Sequence, residues 1–137
     1  SHALGGYLPA LKAMAEYGRP DAFLVMAEGY WKQTPAAEYL SFLDAQAGDY
    51  YDHPGNIAAA EALGLTCVFA ATASDAEWDA YETSYRESME AWLAANPFDP
   101  DRAAFSTRCA TWWDGYQKWG RATLGFGIYL LKGNVSE

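Results

Sequence analysis

Apolar and polar positions divide the chain into stretches of helical period and stretches of unbroken apolar character. In residues 5 to 17, GGYLPALKAMAEY, the side chains Leu8, Leu11, Met14 and Ala15 recur at helical spacing. Gly18-Arg19-Pro20-Asp21 is then expected to end that helix in a turn. The run AFLVMAE, residues 22 to 28, has no polar alternation, which predicts an interior strand covered on both faces. It stops abruptly, presenting Glu28, Tyr30 and Trp31 almost together.

Thr34-Pro35 reads as an N-cap followed by proline at the first helical position, opening a short helix over AAEYLSFLD. AGDYYDHPGN is rich in turn residues and predicts a loop, with His53 at the surface. IAAAEALG predicts a second short helix ended by Gly64, and LTCVFAATA, residues 65 to 73, a β-branched strand. Ser74-Asp75-Ala76-Glu77 has the S-x-x-E form of a capping box and opens the longest helix. Trp78, Tyr81, Tyr85, Met89 and Trp92 fall on one continuous face of it. Asn96-Pro97 stops the helix, and Asp99-Pro100 caps a partner striped by Phe105, Cys109, Trp112, Tyr116 and Trp119. TLGFGIYLLKG predicts a third strand before a polar tail.

Composition narrows the class. At 137 residues, with half of them apolar and 16% aromatic, the chain is long enough for one domain with a real core. A formal net charge of −9 argues against nucleic-acid backbones and anionic membranes, both of which need a basic footprint. Cys67 and Cys109 lack metal-ligand spacing and read as buried, reduced thiols. No apolar run reaches membrane-spanning length and no signal peptide opens the chain, so the expectation is a soluble, cytoplasmic protein without a metal.

In this order and spacing, four segments resemble one family. SHALGG is similar to the segment after the fourth strand of class I S-adenosylmethionine-dependent methyltransferases, and GRPDAFLVMAEGYW to their turn and fifth strand. AAAEALGLTCVFAATASDAEWDAYE resembles the next helix, the sixth strand and the start of a helical hairpin. WGRATLGFGIYLLKG resembles the seventh strand and its approach. The pattern is closest to a bacterial, small-molecule-type group with a long hairpin before its last strand. Asp21 and Ala22 stand where that group has two glycines, and Gly29 where it often has proline.

The resemblance implies an α/β fold: the C-terminal part of a Rossmann-like sheet of three strands. The last strand would be central and antiparallel to both neighbours, with helices on the faces and a helical hairpin over residues 75 to 119. Residues 1 to 137 would form a single unit, the C-terminal half of a methyltransferase domain. The family's glycine-rich cofactor loop and acidic ribose-binding residue have no counterpart, and Gly125-x-Gly127 sits in a strand without a following helix. The expectation is therefore an inactive half whose cofactor-loop half is absent, self-associating as a homodimer through an exposed strand edge.

The same resemblance implies the site. Ser1 and His2 would lie against the methionine part of S-adenosylmethionine, His2 being a possible base for the acceptor. Ligands bind outside the carboxyl ends of parallel strands, which puts Glu28, Tyr30 and Trp31 toward a small-molecule methyl acceptor. Glu28 is the second candidate catalytic group. Tyr81, Tyr85 and Trp113 are candidates for a lid or acceptor wall, although aromatic stripes of this kind more often serve packing. A rival reading is a complete, non-catalytic domain binding an aromatic or cationic small molecule between its two long helices. A third is an interaction domain with an exposed aromatic face.

Overall fold

The computed structural model describes residues 1 to 19 and 21 to 133; Pro20, the tail from 134 to 137 and the side chain of His2 lie outside that description. The elements follow the expected order: α1 (Tyr7–Tyr17), β1 (Phe23–Trp31), α2 (Ala37–Leu43), α3 (His53–Glu61), β2 (Leu65–Thr72), α4 (Asp75–Ala95), α5 (Arg102–Gly115) and β3 (Leu124–Gly133). The three strands form one sheet in the order β1-β3-β2. β3 is central and antiparallel to both neighbours, as the resemblance implied. A register shift between Cys67 and Phe69 marks a bulge in β2.

β1 runs three residues further than its apolar core. Gly29, Tyr30 and Trp31 pair with Phe126, Gly125 and Leu124, so the three residues after Glu28 belong to the strand. The sequence signal was misread because a glycine and two aromatics look like a strand end, whereas pairing to β3 continues through them. The forecast of two covered faces is also overturned. Leu24, Met26 and Glu28 are buried, while Phe23 and Val25, which alternate with them, are 61% and 63% exposed. α1 and α3 pack on one face only, over a core centred on Leu11, Ala60, Tyr129 and Leu131. Full burial of an aliphatic or aromatic side chain of this kind is worth about 1.5–3 kcal/mol, so this face holds the sheet.

The capping box forms as read. Ser74 Oγ accepts from the Glu77 amide, and the Ser74 amide donates to Glu77 Oε2 at 2.8 Å. Thr34-Pro35 does not cap α2; the helix begins at Ala37 with Ala36 before it and no side-chain cap. α5 continues through a π-helical turn, Tyr116–Gly120, before the chain enters β3. Three junctions are tied together there. Lys32, just past β1, bonds Asp75 at the start of α4 at 2.7 Å and donates to the Arg121 carbonyl. Arg121 in turn grips Asp79 with two bonds, and Tyr116 donates to the same carboxylate at 2.6 Å. No helix among the described residues is long and apolar enough to cross a membrane.

Candidate active site

Strand alternation sends Glu28 to the α1 side of the sheet at the end of β1 that carries Tyr30 and Trp31. Its side chain is 8% exposed, yet among the described residues its only side-chain hydrogen bond is from the adjacent Gly29 amide to Oε1, at 3.1 Å. Oε2 is buried without a partner. A buried, unpaired carboxylate oxygen costs several kcal/mol unless something else meets it, on the order of 1–3 kcal/mol even for a neutral polar atom.

What Glu28 faces is a cavity of about 580 Å³. Ser1, Gly5, Gly6 and Tyr7 form one wall, the end of α2 with the following Asp44 and Ala45 another, and Asp49, Tyr50, Trp112 and Leu124 the rest. Gly5 and Gly6 have φ of +83° and +112°, a region L side chains avoid, so glycine allows the turn that enters α1. The segment is held by the Ser1 carbonyl, which accepts from the amides of Leu4 and Gly6.

A second cavity, of about 660 Å³, opens between α4 and α5. Tyr81, Glu82, Tyr85 and Met89 line it from α4, and Phe105, Arg108, Cys109 and Trp112 from α5. Phe42 and Trp112 wall both cavities. Glu82 is 4% exposed and accepts from Trp112 Nε1 at 2.9 Å. Burial pushes its carboxyl above the usual range, with the indole bond pulling the other way. Burial, then the charge of Glu82, pushes the nearby Tyr39 phenol up to about 12.

The sequence-predicted residues divide. Glu28 and Ser1 line the first cavity, and Tyr81 and Tyr85 the second. Tyr30 and Trp31 line neither. Tyr30 lies over Gly125 and against the His53 ring, 5.3 Å between centroids. Trp31 is buried, donates from Nε1 to the Ala47 carbonyl at 2.8 Å and packs edge-on against Tyr50. Trp113 stacks under the Arg86 guanidinium, 4.8 Å away, outside both cavities. His2 as a base lies outside the described side chains.

Two predictions about the surroundings are corrected. His53 is not a loop residue at the surface. It opens α3, is half-buried, stacks on Tyr129, and its Nδ1 lies 3.0 Å from the Tyr129 hydroxyl. The α4 stripe packs only in part: Tyr81, Tyr85 and Trp92 stay exposed, while its Met89 is buried, its Trp78 stacks on Phe126, and Glu82, off the stripe, is buried. Glu82 was missed. Its signal is present: residues 78, 82, 85, 89 and 92 step by four and three, and the acidic one stands inside an otherwise apolar seam.

Comparison with known proteins comes down to solved structures. Protein-family models give no match. The chain is 29% identical over 129 residues to YjhP of Escherichia coli K12, itself an uncharacterized protein, covering 93% of this chain and 52% of that one. The X-ray structure of YjhP superposes with a TM-score of 0.87 at 28% identity, over 96% of this chain and 54% of YjhP. Two S-adenosyl-L-methionine-dependent methyltransferases, solved with S-adenosyl-L-homocysteine, superpose as well. The Geobacter sulfurreducens enzyme does so with a TM-score of 0.84 at 27% identity, over 93% of this chain and 52% of its own. The Thiobacillus denitrificans enzyme does so with 0.85 at 25%, over 96% and 54%. The described fold is that of these methyltransferases over the matched length. The chain spans about half the length of each protein it matches.

Proposed function

We propose that this chain is the acceptor-side part of an S-adenosylmethionine-dependent methyltransferase acting on a small molecule. The observation that supports this most is the pairing of the superposition with Glu28: nearly the whole chain matches two such enzymes, and a buried, unsatisfied carboxylate faces a cavity beside a glycine turn. Ser1 and the Gly5-Gly6 backbone would hold the methionine end of the cofactor. Positive-φ glycines leave the backbone open to close approach there. When bound, the cofactor supplies an electrophilic methyl group.

The chain's own residues do the rest. The Glu28 carboxylate accepts a hydrogen bond from the acceptor's O–H or N–H, fixing its lone pair on the methyl-bearing side. As that lone pair is used, Glu28 Oε2 takes the proton. Phe42, Tyr50, Trp112 and Leu124 keep water away. A further segment with the glycine-rich loop completes the cofactor site, as the doubled length of the matched proteins suggests.

Calorimetry with S-adenosyl-L-homocysteine tests this reading. The protein expressed from its complete reading frame should bind, and the 137-residue chain alone should not. Absence of binding by the complete protein overturns the reading. In the complete protein, Glu28→Gln should lower kcat/KM for methyl transfer by about 10²-fold while leaving S-adenosyl-L-homocysteine affinity unchanged. An unchanged kcat/KM removes Glu28 from the chemistry.

A further inference from the structure

The cavity between α4 and α5 has the ingredients of a cation site. Glu82 is a carboxylate at its wall, buried to 4% exposure, whose only side-chain hydrogen bond among the described residues is from a neutral indole. No lysine, arginine or histidine forms an ion pair with it among the described residues. The aromatic rings of Phe42, Tyr81, Tyr85 and Trp112 line the same cavity, Trp112 turning its N–H edge to the carboxylate. Aromatic faces carry negative potential, and with a desolvated carboxylate they form a site that favours a positive charge over a neutral isostere.

Arg108 lines the same cavity and gives it a direction. Its guanidinium lies over the Phe105 ring, 5.5 Å from the centroid, and makes no ion pair with Glu82. A ligand cation is therefore repelled from the Arg108 end and drawn to the Glu82 end. About 660 Å³ accommodates a drug-sized organic molecule, far more than a bare metal ion requires.

We infer that the cavity between α4 and α5 binds an organic ammonium with an aromatic or apolar body, its charged nitrogen against Glu82 and its non-basic end toward Arg108. Resting on the methyltransferase reading above, that ligand is the methyl acceptor. Phe42 and Trp112 wall both cavities, so a ligand held at Glu82 lies against the same two rings as the occupant of the Glu28 cavity.

The test uses 2-phenylethylammonium, its neutral isostere 2-phenylethanol and the anion 3-phenylpropanoate, titrated without any methyl donor into the protein expressed in full. Intrinsic tryptophan fluorescence or calorimetry reads binding. The ammonium should bind about tenfold or more tightly than the alcohol, and the anion weakest of all. Glu82→Gln keeps an acceptor for Trp112 Nε1 and removes the charge, so it should abolish that preference while retaining the alcohol. Equal affinity for ammonium and alcohol, or a preference that survives in Glu82→Gln, overturns the assignment. No methyl donor is present, so the result reads Glu82 separately from the calorimetric test of the methyltransferase reading.

Discussion

Asn56 shows how much a single buried amide can hold. It is 1% exposed, and its Nδ2 donates to the Gly29 carbonyl at 3.1 Å and to the Tyr129 hydroxyl at 3.0 Å, while its main-chain carbonyl accepts from the Tyr7 hydroxyl. The Tyr129 hydroxyl, which accepts from Asn56, also lies 3.0 Å from His53 Nδ1, the tautomer of the ring setting which of the two donates. Asn56→Ala would strand two buried groups, and chemical denaturation should show a loss of about 2–4 kcal/mol. Glu82 gives the opposite sign. Its folded-state carboxyl sits above the ordinary range, so the native state holds more protons than the unfolded one between the ordinary and raised values. Its contribution is fully present below the ordinary value and is lost as pH rises through the raised one. Glu82→Gln should therefore melt above the parent near pH ~8, the gap closing toward pH ~4. Asp75 and Asp79, held low chiefly by their bonds to Lys32 and Arg121, work in reverse, losing their contribution as pH falls. None of this was legible in the sequence for Asn56. One asparagine in an alanine-rich helix gives no pattern, and its partners lie 27 and 73 residues away.

At the scale of elements, local chemistry was readable and end points were not. The Ser74-Glu77 box sits within four residues and announced α4 by itself. The three strands and the hairpin followed from apolar runs and proline stops, and the central place of β3 from the family resemblance. The end of β1 was misjudged because pairing partners a hundred residues away decide it. The site depends on such distant pairings too. Gly115 in α5 is an example: a Cβ there would run into the Phe42 ring of α2. Gly115→Ala should cost about 1–3 kcal/mol by overpacking and push Phe42 into one of the two cavities. A thermal melt reads the first effect, and weakened 2-phenylethylammonium binding the second.

For the whole molecule, the one-sided sheet matters most. Phe23, Val25, Phe69 and Ile128 form an apolar strip that no helix covers among the described residues, and β1 has a strand partner on one side only. The sequence hid this, since an unbroken apolar run looks the same whether one face is covered or both. A bare strip with an unpaired edge favours pairing with a second copy. Light scattering of the 137-residue chain should show mass rising with concentration, and Val25→Lys should restore a monomer. A monomer at all concentrations would count against this. Phe42 and Trp112, standing between the chambers, have a different consequence. Two ligands that press on the same two rings cannot bind independently. If the first occupant loosens or tightens its neighbour's hold by some factor, the neighbour returns that same factor. On the proposed function, acceptor and cofactor then share one coupling factor, and measuring the acceptor's affinity with and without the cofactor gives the change in the cofactor's affinity as well.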